Sequence, residues 1–209
     1  MSHPPEPLLT PTPIIALRPT QMTLGYREVA RKRQQWAGID KDRGLYLGRH
    51  LVPVVIGPDG RPWMLDHHHL VRALHEEGVA HVLVQVVARA EHLDAKPFLR
   101  FLDMRGWLHP FDAHGRRRPA HDIPHHIGEL VDDPYRSLAA ELRRAGGFAH
   151  SDLPFVDFLW AEHLRTRLPG HLVRDAPDEA LTLALGLARQ PAARHLPGWC
   201  GPVPGDAVD

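Results

Sequence analysis

The sequence predicts an α+β domain followed by a helical extension. Two observations carry this reading. In the first half, short apolar runs alternate with helix-periodic runs in the order β-α-β-β-α-β. From Tyr135 onward the apolar periods are helical only, punctuated by glycine and proline.

Residues 1–12 are Pro-rich and are expected to be unstructured. Pro13–Leu17 reads as a short apolar strand that Pro19 stops. Gly25–Trp36 reads as a helix, with Val29 and Trp36 seven residues apart and charged residues crowding its other faces. Gly38–Gly48 reads as a polar, turn-rich connection. Leu51–Ile56 is a strand, Gly57-Pro58-Asp59-Gly60 a turn, and Pro62–Leu65 the returning strand of a hairpin. Asp66 is the expected N-cap of a helix His68–Glu77 that Gly78 ends. His81–Ala88 is the strongest strand pattern in the chain, and Pro97–Met104 reads as a further helix. His109–Pro124 reads as a loop. Helices are expected at Tyr135–Ala145, Phe155–Arg167 and Asp178–Ala188. The expected organisation is a disordered 1–12, an α+β domain over 13–110, a helical extension over 111–189 packed on it, and a Pro/Gly-rich tail over 190–209.

The totals exclude several classes of function. Hydrophobic residues make up 43% of the 209, enough to bury a core. Basic and acidic residues balance at 25 each, so no global field attracts a polyanion or an anionic membrane. The 17 histidines make the net charge sensitive to pH between about 5 and 8. With one cysteine, Cys200, neither an internal disulfide nor a cysteine zinc site can form. No apolar run approaches the ~20 residues of a membrane span and the N-terminus lacks a signal-peptide pattern, so the expectation is a cytoplasmic protein.

Chemistry concentrates at Asp66-His67-His68-His69, where the hairpin meets a helix. Three readings stay open. Adjacent helical side chains point about 100° apart, so a metal bound at His68 or His69 needs ligands from elsewhere, such as His50, His121, His125, His126 or His163. A helix N-terminus with histidines suits an anion, with imidazoles donating hydrogen bonds or exchanging protons. Arg72, one turn on, is placed to reach the same anion. Alternatively, Asp66 is only a cap and the histidines pack under the sheet.

The motifs Leu17-Arg18-Pro19-Thr20-Gln21, Gly25-Tyr26, Val29, Lys32, the Gly57–Gly60 hairpin and Asp66-His67-His68-His69 together resemble the ParB-like branch of the ParB/sulfiredoxin superfamily, and within it the group described as ParB-like nucleases. The resemblance covers about residues 13–110 and implies a small mixed sheet with packed helices. It implies a site for nucleotide or phosphate at the strand–helix junction, with Asp66, His68 and His69 at the positions of the family's Asp-Gly-His-His. His67 stands where that pattern has glycine, and Leu70 where many relatives have Arg or Thr. Glycine permits close backbone approach to a phosphate and a side chain obstructs it. Sulfiredoxin chemistry needs a cysteine at the junction, and Cys200 is far from it in sequence. Partition-protein function needs a helix-turn-helix. Tyr135–Ala145 with Phe155–Arg167 mimics one, but Phe155, Val156, Phe158, Leu159 and Trp160 make the second helix core-like, so it is expected to pack on the first domain.

The expected roles follow. Asp66 orients the cluster, and His68 or His69 exchanges a proton. Lys32 and Arg72 hold an anion, with Arg18, Gln21 and His67 as further substrate contacts. Glu28 is a candidate general base in the manner of kinase-like relatives, against the alternative of a solvated helix face. Arg116-Arg117-Arg118 reads as a solvated loop without interleaved aromatics, and His125 and His126 as residues that close over the histidine cluster. The expected ligand is a small phosphorylated molecule or nucleotide. A divalent metal or nucleotide cofactor, and nucleic acid as a partner, stay open. The rival from another class is a non-catalytic DNA- or small-ligand-binding module.

Overall fold

The structure is a computed structural model that describes residues 6–153 and 155–202. The chain divides into two compact units, residues 1–24 with 28–132 and residues 25–27 with 133–209. Residues 111–132, grouped above with the helical extension, lie in the first unit.

The first unit is built on a four-stranded mixed sheet, fed by β1 (Glu6–Pro13), β3 (Val52–Ile56), β4 (Pro62–Met64) and β5 (His81–Arg89) in the order β1-β5-β3-β4. β5 runs antiparallel to β1 and parallel to β3, and β3 pairs antiparallel with β4. The pleat sorts the side chains of β3: Val52, Val54 and Ile56 enter one core, and Val55 enters another. The first core is shared with Val29 and Trp36 of α1 (Tyr26–Ala37) and with Leu70, Val71, Ala73 and Leu74 of α3 (His68–Glu76). The second core takes Trp63 of β4 with Phe98 and Leu102 of α4 (Ala95–Met104). A Cβ on Gly57 would stand 2.6 Å from the Phe98 ring, so only glycine lets the hairpin turn close there. A two-residue strand β2 (Thr23–Leu24) pairs in parallel with β6 (Val131–Asp132).

The second unit is helical: α5 (Pro134–Arg144), α6 (Val156–Arg165), α7 (Gly170–Asp175) and α8 (Pro177–Arg189). Asp133 caps α5 by accepting from the Tyr135 N–H at 3.1 Å, and it also takes Arg165 at 2.6 Å. Trp160 stacks on Phe148 at 4.5 Å, and its indole N–H donates to the Pro197 carbonyl. Alanines 180, 184 and 188 let α8 approach closely, because a methyl group fills the seam. The apolar face of α6, expected to pack on the first domain, fills this unit's own core through Val156, Trp160, Ala161 and Leu164. Arg27 is held within the same unit by Glu141 and the Val173 carbonyl.

Several expectations are corrected. Within residues 1–12, expected to be disordered, β1 begins at Glu6; residues 1–5 lie outside the described residues. Pro13–Leu17 is a 3-10 turn over Ile14–Ala16 rather than a strand, because the turn redirects the chain out of β1. The Gly38–Gly48 connection contains the helix α2 (Arg43–Arg49). The tail contributes Ala193 and Leu196 to the helical core, while residues 203–209 lie outside the described residues. No helix among the described residues is long and apolar enough to cross a membrane.

Candidate functional site

The strand–helix junction is assembled from segments distant in sequence. Arg18 pairs along β4, its N–H donating to the Pro62 carbonyl and its carbonyl accepting from Met64. The chain then turns through Thr20, which anchors the loop to α3. The Thr20 N–H donates to His68 Nε2 at 3.2 Å, and the Thr20 hydroxyl donates to the Met64 carbonyl at 2.7 Å. His68 is 4% exposed. The first of the two predicted family histidines is therefore a buried clamp, and accepting at Nε2 places its proton on Nδ1.

His67 takes a different part. Its φ of 65° is left-handed, a conformation natural to glycine, and it stands before the first turn of α3. Asp66 is not the N-cap that the sequence suggests. Its carboxylate accepts from the His67 N–H at 2.6 Å, and His67 occupies the cap position without a side-chain cap bond. The His50 ring lies edge-on to His67 at 6.3 Å. His50 Nδ1 bonds the Tyr46 carbonyl at 2.7 Å, which fixes its proton there. Burial holds the His67 pKa below the ordinary imidazole value; Asp66 pulls upward, and His50 and Lys32 add to the lowering. His67 is thus a neutral imidazole at neutral pH with a cation, Lys32, in its surroundings.

A second cationic group stands on the Arg18 loop. The Arg18 guanidinium lies over the Trp63 ring at 4.8 Å, and its Nη1 meets His125 Nδ1. Its Nε is buried without a hydrogen-bond partner among the described residues. Burial and the neighbouring Arg61 disfavour its charge, and Glu129 favours it. Glu129 itself is occupied by the backbone N–H groups of His125 and His126, which hold its carboxyl below the usual range. His125, expected over the histidine cluster, contacts Arg18.

Most of the remaining predicted residues are tied into the fold. Arg72, expected to hold an anion, donates from Nη1 to the carbonyls of Ile127, Gly128 and Leu130, each at 3.1 Å, and from Nε to Glu76. Those bonds lash the 127–130 segment to α3. Gln21 is 4% exposed and its amide donates to the Thr23 carbonyl, which shapes the turn. Glu28 is not on a solvated face: it is 6% exposed and paired with Arg31 on the same helix. His69 is half-buried on the first turn of α3. Of the companions considered for a metal, His163 lies in the helical core, and among the described residues no group of three or more His, Cys, Asp or Glu stands together as a metal site.

The sequence reading missed the aromatic setting of the arginine run. Arg117 lies over Phe111 at 5.8 Å, Phe111 stacks on His109 at 4.5 Å, and Arg105 lies over Trp107 at 4.5 Å. These rings are separated in sequence from Arg116-Arg117-Arg118, which is why no interleaving showed.

A four-stranded mixed sheet whose hairpin delivers Asp-His-His-His into a helix, with an Arg-Pro-Thr-Gln loop clamped beside it, defines a ParB-like α+β protein of the ParB/sulfiredoxin kind. The chain belongs to the family described as "Putative ParB-like nuclease", whose model matches residues 10–166. It is similar to protein Atu1540 from Agrobacterium tumefaciens, known from a crystal structure. The two are 49% identical over 94% of this chain and 98% of that one, with a TM-score of 0.89. No curated protein matches.

Proposed function

We propose that the protein hydrolyses a phosphate ester at the strand–helix junction. The observation that carries this is the Arg18 group: a guanidinium with a buried, unpartnered Nε, beside a second guanidinium and a histidine. Gathering like charge is unfavourable unless an anion joins it. Arg18 and Lys32 hold the phosphate. His67, kept neutral, takes the proton of the attacking water as its oxygen bonds phosphorus. His69 gives a proton to the departing ester oxygen, and Asp66 fixes the backbone at His67. Glu28 and Arg72 keep the helices in register, and His68 keeps the Arg18 loop in place.

A chromogenic phosphodiester, assayed with and without divalent metals, tests the reading. His67→Gly removes the imidazole but suits the backbone, and the rate is expected to drop about 100-fold or more. The rate of the native protein should hold through the ordinary imidazole range and fall only at more acidic pH, because burial holds the His67 pKa below its usual value. A His67→Gly variant that turns over like the native protein overturns the assignment. Arg18→Ala should weaken binding of inorganic phosphate, measured by calorimetry. A histidine–metal enzyme on this fold would need stoichiometric metal in the purified protein, which elemental analysis reads directly.

A further inference from the structure

We infer that the surface formed by α4's C-terminal end and the loop over residues 107–118 is a stacking platform for single-stranded nucleic acid, which feeds the junction. This rests on the phosphate-ester reading and names the substrate class for it. The rings and guanidiniums alternate in space. Trp107 meets Phe101 edge-on at 5.8 Å and carries Arg105 on its face. Phe111 carries Arg117. Arg105 and Arg116 are exposed; Arg105 has no carboxylate partner among the described residues, Arg116 lies within electrostatic reach of Asp112, and Arg117 is paired with Asp103. Bases stack on aromatic faces and on guanidinium planes, and exposed guanidiniums neutralise the backbone between them.

The platform is joined to the junction by main chain. The His109 N–H donates to the Thr20 carbonyl at 2.8 Å, and Gln21 pairs with His109 in a parallel bridge. Thr20 is the residue that clamps His68, two positions from Arg18. A strand stacked on the guanidiniums that cover Trp107 and Phe111 therefore has the Arg18 loop as its next neighbour. A duplex keeps its base faces stacked inside and offers nothing to these rings. Because the chain is neutral overall, the attraction is local and screened beyond about 8 Å at physiological ionic strength.

The test is fluorescence anisotropy of a labelled oligothymidylate and of a duplex of equal length, using the full chain over a salt series. Single strand should bind more tightly than duplex, with affinity falling as salt rises. The double variant Arg105→Glu/Arg116→Glu alters only exposed side chains. It should weaken single-strand binding about tenfold or more, while hydrolysis of the small phosphodiester and the melting temperature hold. Phe111→Ala should weaken binding with little change in the salt slope, since it removes stacking rather than charge. Native affinity in the double variant, equal affinity for duplex, or no binding at low salt overturns the inference. If His67→Gly hydrolyses the small ester normally yet the platform variants lose the single strand, the junction assignment falls and the platform stands.

Discussion

The sheet unit buries His68 with a partner, and the helical unit buries His163 with its Nε2 unpartnered among the described residues. His68 Nε2 receives the Thr20 N–H, and the two are nearly closed to water. His163 is 6% exposed, with its Nε2 buried and unpartnered among the described residues, between Trp160 and His195. Burial, with Arg167 and His195 adding, pushes its pKa down to about 4. His68 is a strut between the Arg18 loop and α3, whereas His163 is a source of acid sensitivity in the helical core.

The sharpest break in that comparison is His68→Ala. It leaves the Thr20 N–H buried and unsatisfied and opens a cavity, so chemical denaturation should show a loss of about 2–4 kcal/mol. An unchanged midpoint would mean that the clamp is idle. His163→Leu should do the opposite. An apolar group replaces an unpartnered polar one, and stability should hold or rise by about 1 kcal/mol.

The pH dependence gives the sign of the His163 effect. The unfolded chain protonates His163 near 6.5 and the folded one only near 4. The stability contributed by keeping His163 neutral is therefore complete above 6.5 and is lost as pH falls towards about 4. Melting temperatures at pH 7.5 and 5 should lie closer together in His163→Leu than in the native protein. His67→Gly comes next. Relief of the left-handed strain and the entropy of glycine nearly cancel, so stability should move by less than about 1 kcal/mol while hydrolysis collapses. Arg33→Ala sets the baseline: its ion pairs with Glu76 and Glu77 are solvent-exposed, and no resolvable shift in melting temperature is expected.

Much of the fold was readable because its main elements carry full periods. The α1 repeat, the hairpin about Gly57–Gly60, the α3 run and the alternation of β5 all lie where the patterns put them. What escaped is short or interrupted. α2 contains Gly44 and Gly48, which weaken a helical pattern, and α7 has six residues beginning at a glycine. β2 and β6 have two residues each and no period to read. At the junction, the histidine run marked the place but not the division of labour. Burial of His68 depends on Thr20, 48 residues away, and the Arg18–His125 contact spans 107 residues. One signal was present: His67 occupies the position where the family pattern has glycine, and that position is left-handed.

The borders of the sheet have a consequence for the protein in concentrated solution. Its outer strands are β1 and β4. β1 carries Pro11 and Pro13, which lack a backbone donor, and the far side of β4 is already taken by Arg18, whose N–H donates to the Pro62 carbonyl and whose carbonyl accepts from Met64. A partly unfolded neighbour meets a segment already in place beside β4 and a proline-interrupted ladder at β1, and both features disfavour growth by strand addition.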